Sequence, residues 1–398
     1  MISTIKATRN RWPIESFVPI LLAATLFAVP LSSSAKSILM PLALGLLLFA
    51  PAYRQDLADL IYKPWCQASL LLFFMALLAC SWSPASNHEK ILVLEKYTKL
   101  LYFPILVVGF RDPNARRTAM YAFLGAMGLT CLFSILKFLG ILHFNGPDPG
   151  TVFRNHIMAG HMMGFSAYLS ALFFIRQRGR IRVIYATLLV LFSYQLLFIS
   201  SGRTGYVVYL MLMVLLMVQV LSWRKAALAI LLGLSLVTVS YFNSTVMHER
   251  VGTAFSNWQH YQENKNTPIG HRMQFHEFAK NLYQRHPWIG NGTGSFTYSF
   301  REEKPVPSWW WTLLEPHSQY WLVAAEFGSV GVLLLLFFFG SLLLASFRLQ
   351  SMRAVAFALI LPFMVGNLSD SLLFYSGSGY FFLLFMALCL GEQKSKSI

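Results

Sequence analysis

The chain has 398 residues, of which 56% are hydrophobic and 12% are charged. Because soluble domains carry roughly 25% charged residues, this composition excludes a soluble globular protein. The formal net charge is +16, but the basic residues lie mostly at the ends of apolar segments and not in a solvated arm. This placement argues against nucleic-acid binding and is typical of membrane topology signals.

The apolar residues fall in blocks of about 14–24 residues, close to the length of helix that crosses a hydrocarbon core about 30 Å thick. Runs such as "VGVLLLLFFFGSLLLASF" do not alternate between apolar and polar residues, so they exclude the strands of a membrane β-barrel. The pattern predicts an all-α integral membrane protein with about twelve transmembrane helices. The predicted spans are 16–32, 37–52, 65–82, 98–110, 118–142, 157–175, 183–200, 206–222, 226–242, 322–347, 354–368 and 378–391.

Basic clusters occur at every second break between these spans, which predicts that both termini are cytoplasmic. The clusters are Lys6/Arg9/Arg11, Arg54/Lys63, Arg111/Arg116/Arg117, Arg176/Arg178/Arg180/Arg182, Arg224/Lys225, Arg348/Arg353 and Lys394/Lys396. The long hydrophilic segment from Asn243 to Glu315 then lies outside the cytoplasm. We therefore expect three parts: an N-terminal bundle of about nine helices at 1–242, a loop domain at 243–318, and about three C-terminal helices at 319–398.

The four cysteines, Cys66, Cys80, Cys131 and Cys389, lie in or beside predicted spans and show no CxxC pair. Their spacing supports neither a disulfide framework nor a metal site. The first apolar block lacks a small-residue cleavage site and is followed closely by a second block. We therefore expect no cleavable signal peptide.

The long loop contains a predicted amphipathic helix, "GHRMQFHEFAKNLYQRHP", which should end at Pro287. The glycine cluster "GNGTGSF" that follows it is similar to a phosphate-cradling loop. It has no preceding strand, however, so a plain turn is the favoured interpretation.

Three arginines at the outer ends of predicted spans or in the loop are candidates for binding an anion. Arg203 lies in "SSGRTGY", flanked by glycines that would let the backbone approach a ligand. Arg154 lies in "FRNHIMAGH", and Arg272 lies near the start of the loop helix. A guanidinium presents forked donors to phosphate or carboxylate. The competing interpretation is that these arginines contact lipid headgroups or water.

His317 follows Pro316 at the entrance of a predicted helix, on a face shared with Tyr320. Imidazole is a common general base because its ordinary pKa lies near neutrality. Asp370 in "GNLSDSLLF" is a lone acid at the outer end of a span, able to pair with an arginine or to orient a histidine. A histidine beside an interfacial aromatic belt is the alternative for His317.

The short "SSGRTG" break, the loop with "GHRMQF" and "HPWIGNGTGSF", and the following "PHSQYWLVAAEFGSVGVLLLL" come in an order that resembles the bacterial O-antigen ligase and polymerase superfamily. The resemblance is most specific over about 185–335. It implies a GT-C-like membrane glycosyltransferase of the inner membrane, working on its periplasmic face without a metal or cofactor. The implied partners are a glycan linked to undecaprenyl diphosphate, as donor, and lipid A–core oligosaccharide, as acceptor.

The resemblance also implies roles for individual residues. His317 matches the catalytic histidine, and Arg203 and Arg272 match the essential arginines. Arg154 and Asp370 match further polar positions around the cavity. A base on the acceptor hydroxyl and an arginine clamp on the leaving diphosphate would give inversion at the anomeric carbon.

Three other functions are compatible with the sequence. An O-antigen polymerase and a protein O-oligosaccharyltransferase share the donor chemistry and differ in acceptor. A lipid or anion transporter would use the arginines to line a pathway, but transporters usually carry polar helix breaks near the membrane midplane. The single "PHSQYW" segment and the moderate loop length favour the ligase.

Overall fold

The computed structural model describes residues 16–144 and 148–393, and no strand occurs among them. The basic clusters predicted at the two termini lie outside these residues. Seventeen α-helices follow one another: α1 Phe17–Leu31, α2 Ser33–Phe49, α3 Pro51–Leu60, α4 Pro64–Leu78, α5 Asn87–Tyr97, α6 Lys99–Gly109, α7 Pro113–Phe138, α8 His156–Arg176, α9 Ile181–Tyr194, α10 Arg203–Val220, α11 Trp223–Asn243, α12 Thr245–Gln259, α13 Pro268–Arg285, α14 Ser295–Glu303, α15 Gln319–Phe347, α16 Arg353–Gly366 and α17 Ser376–Leu390. A 3-10 turn, Ala79–Ser81, extends α4, and a π-helical turn, Gln195–Ile199, extends α9.

Every one of the twelve predicted spans coincides with a helix, so the all-α membrane architecture is confirmed. The helices differ in length from the prediction. In the described part, seven are long and apolar enough to cross a membrane, or eight if the bent pair α2 and α3 counts as one span. Helices α1, α16 and α17 are apolar but shorter, and α6 has 11 residues. Pro30, Pro104 and Pro362 lie inside three of these short helices, where proline removes a backbone hydrogen bond.

Helix α8 lies inside the bundle, because 83% of its apolar 18-residue stretch is buried. In the corresponding stretch of α11 only 11% is buried. Two glycines let α8 approach α10 closely. A Cβ atom added to Gly160 would lie 2.8 Å from the Cα atom of Gly205, so neither position has room for a side chain. Small residues of this kind permit close helix contacts where no hydrophobic force acts between helices in lipid.

The segment between α11 and α15 contains the helices α12, α13 and α14. The predicted loop helix is confirmed as α13, which ends two residues before Pro287. Its apolar face buries Phe275, Phe278, Ala279 and Leu282. A two-bond salt bridge from Arg285 to Glu303, at 2.6 and 2.7 Å, joins the ends of α13 and α14.

The glycine cluster is a packing turn, in agreement with the favoured interpretation. It lies against a break in α15 at Gly328, which has φ of 63°. The backbone N–H of Gly292 donates to the carbonyl of Glu326 at 2.9 Å, and that of Val330 donates to the carbonyl of Trp288 at 3.1 Å. A Cβ atom on Gly290 would lie 2.3 Å from the carbonyl carbon of Glu326. These glycines therefore lock the loop domain onto α15.

Candidate active site

A cavity of about 580 Å³ lies between α10, α12, α13 and the end of α16. We call it the arginine cavity. Its polar and charged lining residues are Asp148, His156, Ser201, Arg203, Thr204, Arg250, Thr253, Asn257, Arg272 and Ser369. Binding sites for small molecules usually have volumes of about 300–1,000 Å³, so the cavity has the size of a ligand site.

The arginine cavity carries an excess of positive charge. Within residues 16–144 and 148–393, no side chain forms an ion pair with Arg203, Arg250 or Arg272, and none accepts a hydrogen bond from their guanidinium groups. Asp148, the one described carboxylate in the lining, accepts a hydrogen bond from the Ser201 hydroxyl instead. Three guanidinium groups at the wall of one cavity, with no partner in the described part of the chain, are an arrangement suited to a polyanionic ligand.

Glycines flank Arg203, and the expectation that they let the backbone approach a ligand stays a prediction. In the fold they let two helices pack closely. A Cβ atom on Gly202 would lie 3.0 Å from the carbonyl oxygen of His156, and Gly205 packs against Gly160. The glycines therefore hold the start of α10 against the start of α8, which brings Arg203 and His156 to the same cavity.

His317 does not line the arginine cavity, but it is held from two sides by segments that contribute lining residues. On one side, Phe275 of α13 stacks on the imidazole with ring centres 6.0 Å apart. His276 places its Nε2 atom 3.1 Å from the carbonyl oxygen of His317. On the other side is Asp370, the neighbour of the cavity residue Ser369. The elements that hold His317 are thus the same ones that carry Arg272 and form the cavity wall.

Two buried carboxylates face one nitrogen of the His317 ring. Its Nδ1 atom lies 3.2 Å from Oε1 of Glu315 and 3.4 Å from Oδ1 of Asp370. When a carboxylate accepts the Nδ1 proton, the tautomer is fixed and the lone pair is left on Nε2. The His317 side chain keeps 23% of its surface exposed, whereas the Glu315 and Asp370 side chains keep 1% and 3%. This is the geometry of an oriented general base.

The structure corrects one detail of the prediction for His317: it lies near the entrance of the helix, as expected, but before its first turn. Helix α15 begins at Gln319, and Ser318 is its N-cap. His317 precedes the cap and has a left-handed φ of 57°. Its backbone N–H donates to Oε2 of Glu315 at 2.6 Å, which holds this conformation. Because His317 does not belong to the helix, it does not share a helical face with Tyr320. Unusual backbone conformations of this kind concentrate at functional sites.

The pKa values of Glu315 and of its neighbour Tyr375 are both raised. Burial raises the pKa of Glu315, while the charge of His317 acts in the opposite direction. The hydroxyl of Tyr375 donates to Oε1 of Glu315 at 2.8 Å, and burial together with the Glu315 charge raises the pKa of Tyr375. Tyr375 therefore stays a neutral donor, and it contacts the same Glu315 oxygen that lies nearest to Nδ1 of His317.

Glu315, His317 and Asp370 bring three potential metal-ligand atoms within 4.8 Å of one another. The protein already uses these carboxylates. Both oxygens of Glu315 have hydrogen-bond donors, from His317 and Tyr375, and Oδ1 of Asp370 accepts from the backbone N–H of Ser371 at 3.0 Å. A donor set engaged in this way fits the orientation of an imidazole better than the binding of a metal ion.

Two further residues of the sequence prediction do not line the arginine cavity and bond to neighbouring helices instead. The guanidinium of Arg154 donates to the carbonyl of Val29 from Nε, at 2.9 Å, and from Nη2, at 2.5 Å, and it also bonds the Ser33 hydroxyl. It thus caps the end of α1. The hydroxyl of Tyr320 donates to the carbonyl of Met364 at 3.0 Å, which ties α15 to α16.

Sequence reasoning missed three contributors to the site. Arg250 lies in "HERVG" on α12, where nothing distinguishes it from a solvated arginine until α12 is packed beside α13. Glu315 precedes His317 by two residues, and this proximity was a usable signal. Tyr375 is 60 residues from Glu315 in sequence, so no local pattern could have linked the two.

Comparison with known proteins adds a family to this geometry. None of the curated proteins matches the chain. The family model described as O-antigen ligase matches residues 187–336, a range that contains Arg203, Arg250, Arg272 and His317. The chain is a multi-pass membrane protein, and its residues 187–336 are similar to the O-antigen ligase family.

Proposed function

We propose that the protein is an O-antigen ligase, a glycosyltransferase that moves a glycan from undecaprenyl diphosphate to lipid A–core oligosaccharide on the periplasmic face of the inner membrane. The proposal rests on three arginines that line one cavity without an ion-pair partner among the described residues. It rests also on a histidine that two buried carboxylates contact and that packs against α13, the helix carrying Arg272. The match of residues 187–336 to the O-antigen ligase family supports the same reaction class.

The arginines act on the leaving group. Breaking the bond between the anomeric carbon and the diphosphate places additional negative charge on the phosphate oxygens. Arg203, Arg272 and Arg250 stabilise this charge without reorganising, because they are already fixed on three helices around the cavity. One guanidinium can bind two phosphate oxygens at once, so the three together match a diphosphate.

His317 acts on the acceptor. Its Nε2 lone pair removes the proton from an acceptor sugar hydroxyl as the oxygen attacks the anomeric carbon. The carboxylates of Glu315 and Asp370 stabilise the imidazolium that forms. Attack opposite to the leaving diphosphate inverts the anomeric configuration. In this scheme the protein's own side chains supply both the base and the clamp, and no metal ion or cofactor is required.

Reconstitution with the two lipid substrates tests this proposal. Purified protein in lipid vesicles is mixed with glycan-linked undecaprenyl diphosphate and lipid A–core, and the products are separated by gel electrophoresis. We expect glycan attached to lipid A–core. Extended carrier-linked glycan without any such product would identify a polymerase instead. Transfer to a protein acceptor alone would identify an O-oligosaccharyltransferase, and movement of lipid without transfer would identify a transporter.

A further inference from the structure

A second cavity, of about 220 Å³, lies between α2, α5, α6 and α17, apart from the arginine cavity. Its charged and polar lining includes Lys36, Glu95, Lys96, Lys99, Ser376 and Tyr380. We call it the lysine cavity. None of these residues has a part in the proposed transfer reaction, and the sequence patterns did not single out any of them.

Two of the lysines in this cavity are buried, with relative exposures of 3% for Lys36 and 1% for Lys99. The ammonium of Lys99 donates to the carbonyls of Leu373, Phe374 and Tyr375 at 2.6, 2.9 and 3.0 Å. These three bonds use all of its donors but leave its charge without a counter-ion. Buried charges without counter-ions are costly.

Lys36 retains donors for a ligand. Its Nζ atom donates to Oγ of Ser376 at 2.6 Å and lies 4.2 Å from the centre of the Tyr380 ring. An ammonium has three donors, so further N–H bonds remain. In the described part of the chain, no carboxylate lies within ion-pair distance of Lys36, Lys96 or Lys99, although Glu95 also lines the cavity.

The surroundings of the cavity are apolar on one side. Met40 and Pro41 of α2 line it, and the same helix exposes Ile38 and Leu42, with relative exposures of 63% and 54%. A cluster of positive charge beside an exposed apolar helix face suits an amphipathic ligand with an anionic head. We propose that the lysine cavity binds the phosphate group of an anionic membrane lipid, whose chains lie along Ile38 and Leu42 of α2.

Such a lipid would also affect the candidate active site. Lys99 holds the carbonyl of Tyr375, and the Tyr375 hydroxyl donates to Glu315, which lies against His317. A phosphate that neutralises the lysine cluster would stabilise the 373–375 segment and, through Tyr375, the carboxylate that orients the imidazole. The binding of the lipid itself does not depend on the proposed transfer reaction.

The amount of lipid that the purified protein retains tests the proposal directly. The full-length protein in detergent is incubated with phosphatidylglycerol, with phosphatidylcholine or with inorganic phosphate, and bound lipid is counted by native mass spectrometry while thermal unfolding is followed in parallel. We expect phosphatidylglycerol to be retained and to raise the unfolding temperature. Lys36→Gln and Lys96→Gln should each weaken retention about fivefold, since one lysine near an anionic lipid contributes about that factor.

The matched control is Lys90→Gln, which removes a positive charge from the same helix as Lys96 but does not line the cavity. Lys96 is only half-buried, so Lys96→Gln carries the test if Lys36→Gln does not fold. Equal retention by Lys90→Gln and Lys96→Gln would overturn the proposal, as would equal retention of phosphatidylcholine. Stabilisation by inorganic phosphate as large as that by phosphatidylglycerol would overturn the assignment to a lipid.

Discussion

Arg154 and Arg203 occupy similar places in the sequence and different places in the fold. Each lies in a polar break near the start of an apolar helix, and these two helices, α8 and α10, pack against each other. The guanidinium of Arg154 donates hydrogen bonds to the end of α1. Arg203 makes no hydrogen bond or ion pair with the described residues and lines a cavity. An arginine at a helix end can thus bind backbone carbonyls or remain available for an anion, depending on the groups that pack around it.

The largest expected effect comes from replacing His317, the proposed general base. Replacing His317 by alanine removes the only imidazole that is placed against the two buried carboxylates in the described part of the chain. We expect His317→Ala to lower the rate of glycan transfer about 100- to 10,000-fold, the usual contribution of a general base. The rate in reconstituted vesicles measures this. His286→Ala, in an exposed histidine of the same loop, should transfer at the parent rate, and equal rates for both variants would refute the assignment.

The next effect tests the contrast between the two arginines. Arg203→Ala removes a preorganised donor from the developing charge, so we expect transfer to fall about 100-fold. Arg154→Ala should lower transfer much less at a temperature where the variant is folded, because its guanidinium is bound to Val29. The comparison uses initial rates at saturating donor. A larger loss in Arg154→Ala than in Arg203→Ala would reverse the roles proposed here.

Stability should show the opposite order. Arg154→Ala leaves the Val29 carbonyl without its charged donor, and hydrogen bonds to charged groups contribute about 1.5–3 kcal/mol. We expect a lower thermal unfolding temperature for Arg154→Ala and little change for Arg203→Ala, measured in the same detergent. Unchanged stability in Arg154→Ala would show that the bond to α1 contributes nothing.

The smallest effect concerns pH. Burial raises the pKa of Glu315 in the folded protein, so the folded state takes up this proton at a higher pH than the unfolded chain does. The free energy of unfolding should therefore gain a contribution from Glu315 as pH falls through the raised pKa, and lose it as pH rises. Glu315→Gln should remove this contribution, while transfer by the parent should decline over the same range as the carboxylate is lost.

Unfolding curves and transfer rates test this expectation when they are measured between about pH 4 and 8, at steps of about one pH unit. Asp112→Asn, at the start of α7, provides a control substitution of a carboxylate outside the site. If the pH dependence of stability is the same in the parent and in Glu315→Gln, the buried carboxylate does not titrate as inferred.

Sequence alone determined the elements with strong local signals. Apolar segments predicted the positions of twelve helices, although several of these helices are shorter than a membrane span. The periodicity of "GHRMQFHEFAKNLYQRHP" predicted α13 with its buried face. Arg203 and Arg272 were identified as anion-binding candidates from their positions, and His317 from its place at a junction between polar and apolar residues.

Only the tertiary structure decided which of these residues meet. The hydrogen bond between Tyr375 and Glu315 joins residues 60 positions apart, and that between Arg154 and Val29 joins residues 125 positions apart. No local sequence pattern predicts contacts over such separations. The same limit applies to Arg250, which joins the arginine cavity because α12 packs beside α13. Local sequence sets helix length, polarity and capping, whereas the choice between a bound and an unpaired cation depends on distant groups that packing brings within a few ångströms.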